Sequence, residues 1–243
     1  MRLPIRLDRA NALPFLAFGL REVSRLAWDR LRGAPPRVER ALAFAREHAR
    51  PGDPDSVLAA LDRFAREQVF LMNVGDRKGA ILDAELRRHR PARALEIGAF
   101  CGYSAVRMAR LLREWGGRLV SVEANPRAAA VVREMVALAG LGAQVEVVQG
   151  KAAEVIPTLS GPFDLVFLDH WKDLYLPDLQ RLERHGRLRP GSVVVADNVG
   201  LFDVSPYLDY VRSSGRYDST GHASTVEYMD ALPDAVEVSV LRG

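Results

Sequence analysis

A regular alternation of apolar runs and amphipathic stretches begins at residue 93 and most constrains the fold. The predicted strands are Arg93–Ile97, Arg118–Val122, Val145–Val148, Asp164–Leu168 and Ser192–Ala196, and the predicted helices between them lie near Ser104–Glu114, Pro126–Ala139, Ala152–Leu159 and Leu174–His185. Such alternation is typical of a parallel sheet with helices on both faces. We therefore predict an α/β fold with a Rossmann-like, doubly wound, mostly parallel seven-stranded sheet.

The two ends of the chain differ from this central pattern. Helical periodicity covers roughly Val38–His48, Asp55–Gln68 and Val74–Arg88 before the first strand. At the other end, Thr225–Met229 and Ala235–Leu241 flank Leu232-Pro233-Asp234, which predicts an antiparallel hairpin that closes the sheet edge. We expect a basic helical extension at residues 1–35 and a single domain at 36–243, in which residues 36–92 contribute helices to the cover of the active site.

The first forty residues are basic, with nine arginines against four acidic residues. Their apolar stretch, Ala12–Leu20, is too short to span a bilayer and lacks a signal-peptide cleavage site. A solvated helix face is the ordinary interpretation, although such a segment permits weak contact with a membrane surface. We expect a cytoplasmic protein with no nucleic-acid partner and favour a monomer, and the single cysteine, Cys101, excludes an intrachain disulfide.

Polar side chains follow two of the buried strands at the point where each strand ends. Asp169 comes directly after one predicted strand, and Asp197 and Asn198 come directly after another. The carboxyl ends of parallel strands face the crevice in which open α/β sheets bind ligands. Two carboxylates and an amide oxygen suit a hard divalent cation. We therefore predict a Mg²⁺ site formed by Asp169, Asp197 and Asn198.

Lys172 stands out because nearly all basic residues of the chain are arginines. Only Lys78, Lys151 and Lys172 are lysines. A lysine can lose its proton when its pKa is lowered, whereas an arginine stays charged. A lysine beside two predicted metal ligands therefore indicates proton transfer rather than charge alone.

The turn after the first strand predicts a cofactor without phosphates. Gly98 and Gly102 form a G-x-x-x-G spacing, which differs from the G-x-G-x-x-G of dinucleotide sites, so an NAD-dependent oxidoreductase is disfavoured. Glu123 ends the second strand, where a ribose-binding acid lies in such folds. Together they indicate S-adenosylmethionine.

Several motifs together resemble the catechol O-methyltransferase family. They are Met72-Asn73-Val74-Gly75-Asp76, Glu96-Ile97-Gly98, the stretch from Cys101 to Arg110, Phe167–Asp173, Ala196–Val199 and Val226–Met229. The similarity runs in order from about Pro51 to the C-terminus, whereas the first fifty residues resemble the family less. The resemblance implies transfer of a methyl group from S-adenosylmethionine to one hydroxyl of a catechol-type substrate by a Mg²⁺-dependent, in-line displacement.

The resemblance also implies a role for each matching residue. Lys172 would be the general base, Asp169, Asp197 and Asn198 the metal ligands, and Glu227 the partner of the hydroxyl that is not methylated. Helical positions near Met72 and Lys78 would fold over the methyl donor. The cofactor would contact Met72, Val74, Glu96, Gly98, Phe100, Ser104, Glu123, Ala124, Gly150, Ala152, Asp169, His170 and Trp171; the substrate would contact Phe70, Trp171, Lys172, Asn198, Phe202 and Glu227.

Four departures from the family pattern bear on specificity and affinity. Phe70 replaces the usual tryptophan of the catechol wall, Phe202 replaces a proline on the opposite wall, and Phe100 replaces a tyrosine near the cofactor. Ala152-Ala153 replaces a Ser-Gln pair that touches adenine, and the lost hydrogen bonds predict cofactor binding weaker by about one order of magnitude.

Two alternatives remain open at this stage. One is an O-methyltransferase for another ortho-dihydroxy aromatic, such as a caffeoyl ester or a flavonoid. The other is a non-catalytic scaffold that retains the fold; it would predict a damaged metal triad or a missing base.

Overall fold

The computed structural model describes residues 12–243 and contains a mixed seven-stranded sheet with helices on both faces. Its strands are β1 (Arg93–Ile97), β2 (Arg118–Glu123), β3 (Val145–Gln149), β4 (Leu165–Leu168), β5 (Val193–Ala196), β6 (Tyr217–Val226) and β7 (Met229–Leu241). The spatial order is β3-β2-β1-β4-β5-β7-β6. β1 to β5 pair in parallel, and β7 pairs antiparallel with both β5 and β6. The predicted fold is confirmed.

The helices follow the predicted pattern closely. They are α1 (Ala12–Leu31), α2 (Arg37–His48), α3 (Pro54–Glu67), α4 (Gly75–His89), α5 (Tyr103–Leu112), α6 (Pro126–Leu138), α7 (Ala152–Val155), α8 (Tyr175–Arg184) and α9 (Ser205–Ser213). Short 3₁₀ segments extend three of them, at Arg113–Trp115, Ile156–Thr158 and Lys172–Leu174. Among the described residues, no helix has both the length and the apolar character needed to cross a membrane. Residues 1–11 of the predicted basic extension lie outside the described part of the chain.

Local sequence signals explain where two of these helices begin. The Asp53 side chain accepts a hydrogen bond from the Ser56 amide at 3.1 Å, and Pro54 occupies the first position of α3. Asn125 caps the amide of Arg127 at 2.9 Å in the same way, just before α6. An oxygen-bearing cap followed by proline satisfies free amides and presets the helical φ, so the helix begins at that residue.

The predicted position of the hairpin turn is wrong. The turn lies at Glu227 and Tyr228, whose φ of 58° is left-handed, whereas Leu232-Pro233-Asp234 belongs to β7. Pro233 is tolerated there because β7 pairs with β5 only at Glu237–Val240, so at Pro233 the strand has one neighbour, β6. A proline costs no ladder hydrogen bond on a side that faces no strand.

α9 has no counterpart among the predicted elements. It is amphipathic and short, with Tyr207, Leu208 and Val211 buried against the sheet and proline in its first turn. The tyrosines of α9 obscure the apolar spacing that identifies the longer helices. Its Ser-Pro start is typical of a turn as well as of a helix, so it does not identify a helix either.

The strand order places one crevice at the centre of the sheet. β2 and β3 lie on one side of β1, whereas β4 and β5 lie on the other side, so the winding direction reverses between β1 and β4. The strands on both sides of this point are buried along almost their full length. Ligands of open α/β sheets bind outside the carboxyl ends of the strands at such a reversal.

Candidate active site

Two adjoining strands bring the predicted metal ligands to the same edge of the sheet. Leu168, the last residue of β4, pairs with Ala196, the last residue of β5, and the Asp197 amide donates to the Leu168 carbonyl at 3.0 Å. Asp169 and Asp197 therefore leave the sheet side by side. Asn198 follows with a left-handed φ of 55°, a conformation that asparagine tolerates better than most residues.

Two buried oxygens at this edge accept no hydrogen bond from the described residues. They are Oδ2 of Asp197 and Oδ1 of Asn198. The amide group of Asn198 is oriented by its Nδ2, which donates to Glu227 at 3.0 Å and to Asp234 at 2.8 Å, so its oxygen points elsewhere. A buried acceptor without a partner is costly, and a hard cation satisfies carboxylate and amide oxygens. The residues present therefore fit a divalent ion.

The fully buried ammonium group of Lys78 lies beside the predicted metal ligand Asp197. The Lys78 Nζ lies 2.8 Å from Asp197 Oδ1 and 2.7 Å from Asp234 Oδ2, and it also contacts Glu227. Burial lowers the pKa of Lys78, but attraction to the three carboxylates outweighs burial and holds this pKa well above its ordinary value. The cluster of Asp197, Glu227 and Asp234 thus contains its own cation.

The side chain of Lys78 does not take part in the cover of the methyl donor that was predicted from helical positions near Met72 and Lys78. Lys78 lies on α4, but its side chain enters the acidic cluster. Met72 lies in the irregular segment before α4, because the helix begins only at Gly75. There the Asn73 side chain accepts the Gly75 amide at 2.9 Å and the Tyr228 hydroxyl at 3.1 Å, which fastens this segment to the β6–β7 turn.

Lys172 is held against Asp169 at the same strand ends. Its Nζ donates to Asp169 Oδ1 at 3.0 Å and to the Tyr175 hydroxyl at 2.7 Å. That hydroxyl lies 2.8 Å from the carbonyl of Leu168 and 3.0 Å from the carbonyl of Asp197. Tyr175 therefore ties the lysine to the ends of both strands, and the lysine, the two carboxylates and the amide oxygen form one group.

The turn after β1 is closed by Glu123. One Glu123 oxygen accepts the amides of Ala99 at 3.1 Å and Phe100 at 2.9 Å. Gly98 adopts a φ of 93°, and a β-carbon there would lie 2.6 Å from the carbonyl oxygen of Asp169. Glycine is therefore required at residue 98 because the turn crosses the end of β4 closely, a reason that the spacing alone did not reveal.

Glu96 is buried beneath this turn. The Ser121 hydroxyl donates to it at 2.5 Å, while its Oε1 accepts no hydrogen bond within residues 12–243. Burial raises the pKa of Glu96 to about 7. Ser104 is also buried, in the first turn of α5. An acid with a free buried oxygen beside a glycine turn can accept a hydrogen bond from a polar ligand group.

The other predicted cofactor residues lie around the same crevice with different exposure. Val74 and Ala152 are buried, Gly150 is half-buried, and Ala124 is exposed. The His170 Nε2 lies 2.9 Å from Asp178, whereas its buried Nδ1 has no hydrogen-bond partner among the described residues. Trp171 is 79% exposed and Met72 is 48% exposed, so these large apolar groups are free to cover a bound ligand.

Phe70 and Phe202, the two predicted walls of the substrate slot, belong to one apolar cluster. Its buried members are Phe70, Leu201, Val226 and Leu232. Phe202 packs against them half-buried, and its ring centre lies 5.9 Å from the Lys172 Nζ. The structure thus brings an apolar surface, the lysine and the predicted metal ligands together.

Three residues of the candidate site were not predicted in the roles that the structure gives them. Tyr175 and Asp234 were not singled out, and Lys78 was assigned to the cover. The scarcity of lysine was a usable signal for Lys78. Asp234 carried no such signal, because an aspartate after proline is typical of a turn.

Comparison with known proteins identifies the family to which the chain is similar. Residues 95–199 match the family model described as a methyltransferase domain. A catechol O-methyltransferase of Mus musculus is 47% identical over 210 residues, which cover 84% of this chain and 78% of the mouse protein. A probable O-methyltransferase of Mycobacterium tuberculosis is 41% identical over 207 residues, which cover 81% of this chain and 88% of that protein.

A solved structure shares the architecture. The O-methyltransferase TomG from Streptomyces achromogenes, determined in complex with S-adenosylmethionine, is 27% identical with a TM-score of 0.67, over 76% of this chain and 89% of that one. The fold, the crevice and these similarities define an S-adenosylmethionine-dependent O-methyltransferase. Within this class, the chain belongs to the catechol O-methyltransferase family.

Proposed function

We propose that the protein is a Mg²⁺-dependent methyltransferase that acts on one hydroxyl of a catechol-type substrate. The observation that carries this proposal is the pair of buried oxygens on Asp197 and Asn198 that accept no hydrogen bond from residues 12–243. They lie beside Asp169 and belong to one hydrogen-bonded group with Lys172. Asp169, Asp197 and Asn198 would hold the ion. When bound, magnesium would lower the pKa of a coordinated hydroxyl and fix the oxygen that attacks.

The crevice beside β1 is assigned to S-adenosylmethionine. Glu123 and Glu96 would accept hydrogen bonds from the ribose and the amino-acid portion of the cofactor, and Gly98 allows the turn to pass closely over the site. Met72 and Val74 would cover the methyl donor from the N-terminal helical region, residues 36–92. Trp171 would cover it from its position just before the 3₁₀ segment Lys172–Leu174. Bound here, the cofactor supplies an electrophilic methyl group on a sulfonium.

The side chains of this protein would then align and deprotonate the acceptor. Lys172 Nζ takes the proton of one hydroxyl, and Glu227 accepts a hydrogen bond from the other through its Oε2, which accepts none from the described residues. A new O–C bond forms as the S–C bond breaks, and the electron pair stays on sulfur, which leaves as S-adenosylhomocysteine. Alignment of donor and acceptor supplies much of the acceleration in such a displacement.

Methyl transfer to a panel of catechols, matched monophenols and ortho-dihydroxy esters, with Mg²⁺ or with EDTA, tests this proposal. We expect turnover that EDTA abolishes and that excess Mg²⁺ restores. Lys172→Ala should lower kcat by about 10²- to 10⁴-fold, because a general base contributes about that much. Lys151→Ala, which changes an exposed lysine, is the matched control.

Three results would contradict the proposal or one of its parts. Turnover that is unaffected by EDTA would exclude the metal site, and a monophenol methylated as fast as its catechol would exclude recognition of two adjacent oxygens. A kcat of Lys172→Ala equal to that of Lys151→Ala would remove the assigned base.

A further inference from the structure

α1 lies against the apolar cluster that forms the wall of the proposed acceptor slot. The Phe18 ring meets the Phe70 ring edge-on, with ring centres 4.9 Å apart and planes at 76°. Phe15, one turn earlier on α1, packs against the same cluster. Phe70 is only 7% exposed, whereas Trp171 remains 79% exposed. The basic extension thus covers one predicted wall and leaves Trp171 open.

A partly buried ion pair fixes the position of α1 relative to that wall. The Glu22 carboxylate lies 2.8 Å from the Arg37 guanidinium, and Glu22 is only 8% exposed. The same Arg37 nitrogen donates to the Phe70 carbonyl at 3.3 Å. Farther along α1, Asp29 pairs with Arg40 at 2.9 Å. The helix is therefore linked through α2 to the backbone of the wall residue itself.

α1 packs against the apolar cluster with one face only. Leu16 is 56% exposed and Leu20 is 71% exposed, whereas Phe15 and Phe18 are half-buried. If α1 were surrounded by solvent on all sides, Leu16 and Leu20 would not be more exposed than Phe15 and Phe18. The aromatic residues at positions 15 and 18 are about one turn apart and pack together against the cluster that contains Phe70.

We propose that Phe18, supported by Phe15, forms an outer wall of the acceptor slot and selects among catechols by the size of their ring substituents. The inference rests on the proposed function and deepens it. Substituents that project toward α1 would meet the Phe18 ring, so small catechols would be held against Phe18 and Phe70 together. Phe18 acts as a specificity-determining residue, since nothing places it beside the reacting atoms.

The test compares Phe18→Ala with Leu20→Ala, which also truncates an apolar side chain to alanine but on the exposed face of the same helix. The assay measures kcat and KM for unsubstituted catechol and for 4-tert-butylcatechol at saturating S-adenosylmethionine and Mg²⁺. For Phe18→Ala we expect the KM for catechol to rise about three- to tenfold, because one aromatic contact is lost. We expect kcat to stay within about twofold of the wild-type value. The KM for 4-tert-butylcatechol should stay unchanged or fall, which reverses the preference between the two acceptors.

Further measurements separate a wall from a merely structural role. Phe18→Leu should restore part of the preference for the small acceptor, and the affinity for 3,5-dinitrocatechol, measured by calorimetry with Mg²⁺ and S-adenosylhomocysteine, should follow the KM for catechol. General destabilisation would change kcat or the amount of folded protein and leave the preference between the two acceptors intact.

The outcomes also separate this inference from the proposed function. Phe18→Ala and Leu20→Ala with equal acceptor preferences, in an active wild type, would overturn the outer wall alone. A wild type that methylates no catechol would overturn the proposed function and the inference with it.

Discussion

Lys78→Met is expected to destabilise the protein strongly, because it removes the cation of a buried acidic cluster. The Lys78 side chain is 1% exposed and contacts Asp197, Glu227 and Asp234, of which the first and last are fully buried as side chains. Removing one partner of a buried ion pair costs about 3–5 kcal/mol, since the remaining charge is left without compensation. In a protein of this length, that loss corresponds to a fall in Tm of about 6–20 °C.

The assay is thermal and urea-induced unfolding of Lys78→Met beside Lys151→Met, the same change at an exposed position. The control should lie within about 0.5 kcal/mol of the wild type. Adding Asp234→Asn to Lys78→Met removes one uncompensated charge and should recover about 0.5–3 kcal/mol as an interaction energy. If Lys78→Met costs no more stability than Lys151→Met, or if the double variant recovers none, the Lys78 ammonium does not compensate the buried carboxylates.

Three further predictions concern the cofactor crevice. Burial raises the pKa of Glu96 from 4.5 to about 7, so the folded protein holds this proton more tightly than the unfolded chain does. The stability that results is present at low pH and is lost as pH rises between these two values. Glu96→Gln should therefore remove about 3 kcal/mol of the difference in unfolding free energy between pH 4 and pH 8, and an unchanged difference would contradict this. Gly98→Ala should lower Tm well beyond Gly116→Ala, since both have a left-handed φ but only residue 98 has a backbone atom within 3 Å of the added carbon. Replacing Ala152-Ala153 by Ser-Gln should tighten S-adenosylmethionine binding about tenfold by calorimetry, and an unchanged Kd would show that these positions do not limit affinity.

The order and type of the central elements could be predicted because local signals agree with the fold there. The strand Arg93–Ile97 lies where its run of buried residues predicts, and α6 begins at the Asn125 cap followed by proline. Asp169 and Asp197 could be placed together because parallel strands end at a common edge. Periodicity and strand polarity therefore sufficed to place the proposed metal ligands at one edge of the sheet.

The hairpin and Lys78 could not be predicted because tertiary contacts decide them. Pro233 indicates a turn, but it lies in a strand that has one neighbour at that point. Lys78 occupies an amphipathic helix as an exposed lysine would, and it is surrounded by carboxylates only because the end of β5, the β6–β7 turn and β7 approach it. Contacts between segments that lie about 150 residues apart leave no periodic signal in either segment.

We propose above that the oxygens of Asp169, Asp197 and Asn198 bind a divalent ion. Anomalous scattering from crystals grown with Mn²⁺, S-adenosylhomocysteine and 3,5-dinitrocatechol would locate that ion. We expect one strong manganese peak that these three side chains and both catechol oxygens surround. A peak among Asp197, Glu227 and Asp234 in place of the Lys78 ammonium, or ordered ligands with no peak at all, would contradict it.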